Sequence, residues 1–198
     1  MAKARVVIFG ADGFLGRNLA TEFEGCGLNV LRVNRSLLSF GGGNEQFQLG
    51  TIIESFSPDI VVNALGQIDS QVEATPVSIF SSIFLPTFYL FDYFRTAEVG
   101  QQTTVLTFGS EAEGQPRKKY PIYSALKTAE SNLVLTAREY FAKSNIRWLR
   151  LKLPRLDGGL GLEGLPGRQP SEKVSFEIVW EKVRTALSLD YTLGEING

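Results

Sequence analysis

The chain has 198 residues, 43% of them hydrophobic, and a formal net charge of −1. That is enough to bury the core of one domain, and it excludes both a disordered chain and a nucleic-acid binder working through bulk positive charge. With no histidine, and Cys26 the only cysteine, imidazole acid–base chemistry, histidine metal sites, thiolate clusters and an internal disulfide are all excluded. The short Arg117-Lys118-Lys119 run reads as a solvated loop. The N-terminus shows no basic leader with a following apolar core. The longest greasy stretch, Ile79 to Phe94, is interrupted by Ser81, Ser82, Pro86, Thr87 and Asp92, which speaks against a membrane span. A cytoplasmic protein without membrane or nucleic-acid partners is expected.

Arg5-Val-Val-Ile-Phe-Gly10 opens the chain with a run of β-branched and aromatic character, short enough for a strand buried on both faces. Gly10, Gly13 and Gly16 follow at a spacing of three, and Phe14, Leu15, Leu19 and Phe23 begin a helical period. Strand, glycine turn and helix in that order predict an anion site. Gly10 makes the turn, Gly13 lets backbone N–H groups approach, and Gly16 lets the helix pack on the strand. A pyrophosphate would lie over Gly10, Ala11, Asp12, Gly13, Phe14, Leu15 and Gly16, at the helix N-terminus, where unpaired N–H groups and the helix dipole favour negative charge.

Gly25 to Gly27 stop this helix, and Leu28 to Val33 reads as the second strand. Its end carries Asn34-Arg35-Ser36 and no acid. A carboxylate there serves the ribose 2′-hydroxyl of NAD, whereas Arg35 and Ser36 suit the 2′-phosphate of NADP. NADP is therefore expected, with NAD the alternative. Ser39 to Asn44 is a glycine-rich loop, Phe47 to Phe56 has helical spacing, and Ile60 to Asn63 is a third buried strand. Asn63, Ala64, Leu65 and Gly66 at its carboxyl end are expected to pass under the cofactor.

Pro76 to Ala97 predicts a long helix carrying Phe80, Phe84, Phe88, Phe91 and Phe94, with Pro86 either kinking it or marking its start. It is apolar on more than one face, which calls for cover beyond the sheet. Thr103 to Phe108 is the fourth strand, closed by Gly109-Ser110. A helix from about Tyr120 to Ala142 follows, with Leu126, Ala129, Leu133, Val134, Ala137 and Phe141 as its expected buried stripe. Ile146 to Leu151 is the fifth strand, 158–170 a glycine- and proline-rich loop, 172–189 a last amphipathic helix, and 191–197 a possible short strand. Strands alternating with helices define an α/β doubly wound parallel sheet, a single Rossmann-type domain over 1–198.

Tyr123 and Lys127 are four apart, on one helical face. Reducing a carbonyl with hydride needs a proton donor at the oxygen. Free tyrosine gives up its proton only near pH 10, and an ammonium one turn away stabilises the phenolate. Lys127 is placed for that and could also reach a ribose hydroxyl, while Ser110 at a strand end could hold the carbonyl oxygen.

Gly10-x-x-Gly13-x-x-Gly16, Asn63-Ala-Leu-Gly66, Ser110 and Tyr123-Ser-Ala-Leu-Lys127 together resemble the short-chain dehydrogenase/reductase superfamily. Pro58-Asp-Ile-Val-Val-Asn-Ala is most similar to its extended, sugar-nucleotide-modifying branch, particularly the dTDP-4-dehydrorhamnose reductase type, over roughly residues 4 to 160. The resemblance implies Tyr123 as catalytic acid/base, Lys127 as its tuner and ribose contact, Ser110 as the carbonyl-orienting hydroxyl, and a homodimer through helices 76–97 and 122–142. Three features depart from that branch. Ile83 stands where it usually carries Asn, Ser110-Glu111-Ala112 keeps one acid of the dehydratase pair, and 158–198 is a shortened substrate region. The expected function is an NADP-dependent reductase of a small or sugar-like carbonyl. A sugar epimerase, a non-catalytic dinucleotide-binding module and a subunit completed by another chain are the alternatives. Arg155 and Arg168 could grip an anionic substrate, though each reads more simply as solvated.

Overall fold

Five apolar runs pair in parallel as one sheet, in the order β2-β1-β3-β4-β5. The computed structural model describes residues 3–34, 37–38, 44–67, 74–154, 156 and 174–188. In chain order the elements are β1 (Arg5–Phe9), α1 (Phe14–Gly25), β2 (Asn29–Val33), α2 (Glu45–Phe56) and β3 (Ile60–Asn63). They continue with α3 (Pro76–Thr96), β4 (Thr103–Ser110), α4 (Pro121–Tyr140), β5 (Ile146–Leu153) and α5 (Phe176–Ser188). The doubly wound α/β reading holds, and the expected elements stand within a few residues of their bounds. The proposed strand at 191–197 and the loop at 158–170 lie outside the described residues.

The strands alternate side chains between two cores, because neighbouring residues of a strand point to opposite faces. Val6, Ile8, Val62 and Leu106 face α1 and α5, where Phe23 meets Trp180 edge-on at 5.2 Å. Val7, Phe9, Val61 and Val105 face Leu49 and Ile53 of α2, Leu90 and Phe94 of α3, and Val134 and Ala137 of α4. Phe9 is in register with Val33 on one side and Asn63 on the other. The chain leaves β1 toward β2 and later returns past β1 to β3, which opens a crevice between β1 and β3 at their carboxyl ends.

Pro86 does not mark the start of α3. The helix begins ten residues earlier, with Pro76 in its first turn and a reciprocal Thr75–Ser78 capping box, and continues through a buried Pro86. The polar interruptions therefore all fall inside one helix. By length and composition α3 is long and apolar enough to cross a membrane, with a mean hydropathy of 1.3, so the interruption argument fails. What α3 does within the fold is pack Ile79, Ile83, Leu90 and Phe94 inward, beside α4.

The expected stripe of α4 also needs correction. Val134 and Ala137 are buried, but Leu126 and Leu133 are only half-buried and Ala129 is exposed. The inward positions of its first half are Ser124, Lys127 and Glu130 instead. The inner face is thus polar at its N-terminal end and apolar at its C-terminal end.

Candidate active site

The glycine turn is built as its spacing requires. Gly10 has φ +85, a left-handed conformation that glycine adopts without strain, and its N–H donates to Val33 O at 3.0 Å. A Cβ on Gly16 would stand 2.2 Å from Gly10 O, so the helix can approach the turn only with glycine there. Gly13 is the N-cap of α1, no side chain caps the helix, and no acid stands in its first turn. Its first N–H groups are therefore offered to an anion by the backbone alone.

The side chains of this turn serve packing. Phe14 meets Phe176 edge-on at 6.5 Å, Leu15 packs on the core beneath, Ala11 is buried and Asp12 is exposed. Arg35 and Ser36 lie outside the described residues, as do Arg155 and Arg168. The end of β3 closes over the turn from the other side. Ala64 N donates to Phe9 O at 2.9 Å, and a Cβ on Gly10 would be 3.1 Å from Ala64 and from Leu65. Gly66 is exposed beyond it. Asn63 itself is buried and points into the protein: its Nδ2 donates to Thr87 Oγ1 at 2.9 Å, and its Oδ1 accepts from Leu65 N at 3.2 Å.

Ser110, Tyr123 and Lys127 gather at the same edge, the carboxyl ends of the strands. Ser110 is the last residue of β4, and its Oγ accepts from Ala112 N at 3.2 Å, an acceptor role that keeps its own O–H as a donor. The β4–α4 connection is pinned to α4 by Ser124 Oγ, which donates to Ala112 O at 2.9 Å, and by Thr128 Oγ1, which accepts from Gly114 N at 2.9 Å. This seats Tyr123, in the first turn of α4, half-buried beside Tyr120, with ring centroids 6.0 Å apart and nearly perpendicular.

Lys127 is 5% exposed. Its Nζ donates to Phe108 O at 2.9 Å and to Glu130 Oε2 at 2.8 Å, so two of its three donors are committed within the protein. Glu130 also accepts from Thr87 Oγ1 at 2.8 Å and from Arg150 Nη2 at 3.1 Å. Arg150 Nη2 reaches Glu113 Oε1 at 2.5 Å, and that same oxygen accepts from Ser110 N at 2.8 Å. Two cations and two anions thus cancel in a buried cluster below the site. The cluster lies flat on β4: a Cβ on Gly109 would be 2.7 Å from Glu113 Oε1. Burial pushes the Glu130 carboxyl up, but the Lys127 and Arg150 charges, with hydrogen bonds from Lys127 and Thr87, outweigh it and hold the group below the usual carboxylate range. Burial likewise opposes the charge on Arg150, and Glu130 and Glu113 outweigh it and raise its affinity for its proton.

Thr87, Glu113, Glu130 and Arg150 are the residues that sequence reasoning missed. One signal was present for Arg150, a charge among apolar residues in a strand buried on both faces, which must find a partner. Among the described residues no group of three His, Cys, Asp or Glu could hold a metal ion.

A parallel doubly wound sheet with a glycine turn at its switch point, and Ser, Tyr and Lys at the same edge, is a Rossmann-type fold with its candidate site at the carboxyl ends of the strands. The model of the NAD dependent epimerase/dehydratase family matches residues 6–154, and the chain belongs to that family. No curated protein matches it at a significant level. Among solved structures, a 4-hydroxyisoleucine dehydrogenase complexed with NADH is similar at TM-score 0.80 and 16% identity, over 98% of this chain and 94% of that one. A short chain dehydrogenase from Burkholderia cenocepacia in complex with NADP is similar at TM-score 0.77 and 16% identity, over 98% and 88%. A short-chain dehydrogenase from Streptomyces avermitilis reaches TM-score 0.79 at 16% identity, over 100% and 89%.

Proposed function

We propose that the protein is an NADP-dependent oxidoreductase that reduces a carbonyl of a small or sugar-like substrate, with Tyr123 as proton donor. The observation that carries this reading is the shared edge: the uncapped α1 N-terminus, Ser110 at the end of β4 and Tyr123 in the first turn of α4 all lie at the carboxyl ends of one sheet. The site fits a dinucleotide, because no side chain caps the α1 N-terminus and a Cβ on Gly16 would stand 2.2 Å from Gly10 O in the turn that presents it. In this reading Gly10 to Gly16 hold the pyrophosphate, Ala64 to Gly66 lie along the nucleotide, and Arg35 and Ser36 take the 2′-phosphate. A bound nicotinamide supplies the hydride. Ser110 donates to the carbonyl oxygen and orients it, Tyr123 delivers the proton to that oxygen, and the Lys127 ammonium supplies fixed positive charge from below.

Titration with NADPH and with NADH, followed by nicotinamide fluorescence, tests the cofactor. Tighter binding of NADPH is expected, together with its stoichiometric consumption against a panel of ketones, aldehydes and keto-sugars. Absence of affinity for either nucleotide would overturn the reading. Turnover with the cofactor retained and unconsumed would identify an epimerase instead. One observation favours a non-catalytic nucleotide-binding module: Lys127 is held by Glu130 and Phe108 O and is almost wholly buried.

A homodimer through α3 and α4 is part of the proposal. Phe80, Phe84 and Phe88 form a stacked ladder at 5.5 and 6.2 Å, with Phe80 39% and Phe88 40% exposed and Val77 71% exposed above them. Leu135 and Tyr140 are exposed on the neighbouring helix. Burying this surface against a second copy gains about 25 cal/mol per Å² of apolar area. Sedimentation at micromolar concentration is expected to give twice the chain mass, and a Phe88→Glu chain the single mass. A wild-type monomer would remove the dimer from the proposal.

A further inference from the structure

We propose that the Thr87 hydroxyl is a positioning group for the nucleotide, setting the β3–α3 edge of the cofactor crevice from inside the protein; the inference rests on the dinucleotide reading above. The argument is one of hydrogen-bond polarity. Glu130 is ionised, because Lys127 and Arg150 both contact its carboxylate, and an ionised carboxylate only accepts. Thr87 must therefore give its single proton to Glu130 Oε1, at 2.8 Å. Having done so, Thr87 Oγ1 can only accept, which obliges Asn63 to turn its Nδ2 donor toward it, at 2.9 Å. That leaves Asn63 Oδ1 facing Leu65 N as acceptor.

The charge on Glu130 thus fixes, through three hydrogen bonds, which way the Asn63 amide points and which backbone N–H it holds. The held segment is the one that closes over the glycine turn, with Ala64 and Leu65 against Gly10. Every member of the chain is buried or nearly so: Thr87 0%, Glu130 1% and Asn63 3% exposed. Water cannot replace a missing link there, so losing the hydroxyl leaves Asn63 Nδ2 without a partner or turns the amide so that two donors meet at Leu65 N. The same Glu130 holds Lys127, so the cofactor edge and the catalytic edge share one fixed anchor.

Thr87→Val keeps the shape and removes the hydroxyl, and Thr87→Ser keeps the hydroxyl and removes the methyl. With NADPH as probe, Thr87→Val is expected to bind about tenfold more weakly, the order of effect of one unsatisfied buried polar group. Thr87→Ser is expected to stay within about twofold of wild type. In the nucleotide-free protein, the Leu65 amide is expected to exchange with deuterium faster in Thr87→Val and at the wild-type rate in Thr87→Ser. Unchanged NADPH affinity in Thr87→Val overturns the inference alone. A Thr87→Ser defect as large as that of Thr87→Val also overturns it, since packing of the methyl then explains both. If wild type binds NADH but not NADPH, NADH serves as the probe and the same outcomes apply; if it binds neither, the dinucleotide reading falls, and the inference about the nucleotide falls with it. Should Thr87→Val fail to fold, Thr87→Ala repeats both measurements without added bulk.

Discussion

Replacing Arg150 with methionine is expected to lower the melting temperature by roughly 6 to 20 °C, the largest stability effect of any single side chain at this site. Arg150 is 3% exposed and its Nη2 holds Glu113 at 2.5 Å and Glu130 at 3.1 Å. Methionine fills similar length with no charge. It leaves two carboxylates and one ammonium buried together, with Glu113 stripped of its cation. Breaking a buried pair in this way costs about 3–5 kcal/mol, against a total stability of about 5–15 kcal/mol for a domain. The companion variant separates charge from packing. Adding Glu113→Gln to Arg150→Met restores neutrality and is expected to recover at least half of the loss, because the amide oxygen still accepts from Ser110 N. Urea unfolding of the two variants measures this. A single variant within about 1 kcal/mol of wild type would show that the cluster contributes no such pairing energy.

The same cluster explains why the fold was legible in the sequence and half of the site was not. Val6 to Phe9 and Ile60 to Asn63 are apolar runs that only a two-sided sheet can bury, and the Gly10–Gly16 spacing has one physical use beside such a strand. Helix α4 misled for a definite reason. A search for apolar residues at helical spacing finds Leu126, Ala129 and Leu133, whereas the true inner face runs Ser124, Lys127, Glu130, Val134, Ala137. The pattern was complete, but three of its five members are polar, and only their partners on β4, the β4–α4 connection, β5 and α3 make burying them tolerable. Glu113 was hidden differently. Its role depends on Arg150, thirty-seven residues later, which no local pattern joins to it. Lys127 shows the converse. Its spacing from Tyr123 marked it as a site residue, and spacing alone could not foretell that two of its donors would be committed inside the protein.

Tyr123→Phe is expected to lower kcat by about 10²- to 10⁴-fold on whichever carbonyl of the panel wild type reduces, with NADPH affinity unchanged. The ring keeps its edge-on contact with Tyr120, and the melting temperature of the variant reports any structural part the hydroxyl plays. A proton donor acts on charge that develops only as hydride arrives, so its removal lowers kcat and kcat/KM together and leaves substrate binding largely intact. Lys127→Met makes the informative contrast. It removes one of the two cations facing Glu130, so it is expected to lose activity and stability together, and its kinetics alone cannot separate the two roles. Tyr123 is therefore the cleaner test of chemistry, and melting temperature supplies the control. A Tyr123→Phe protein that melts as wild type, binds NADPH as wild type and still turns over at the wild-type rate would remove Tyr123 as the proton donor. A protein that melts and binds as wild type yet has lost turnover would leave the buried Lys127 as a fixed charge beneath a working tyrosine, and would eliminate the non-catalytic module.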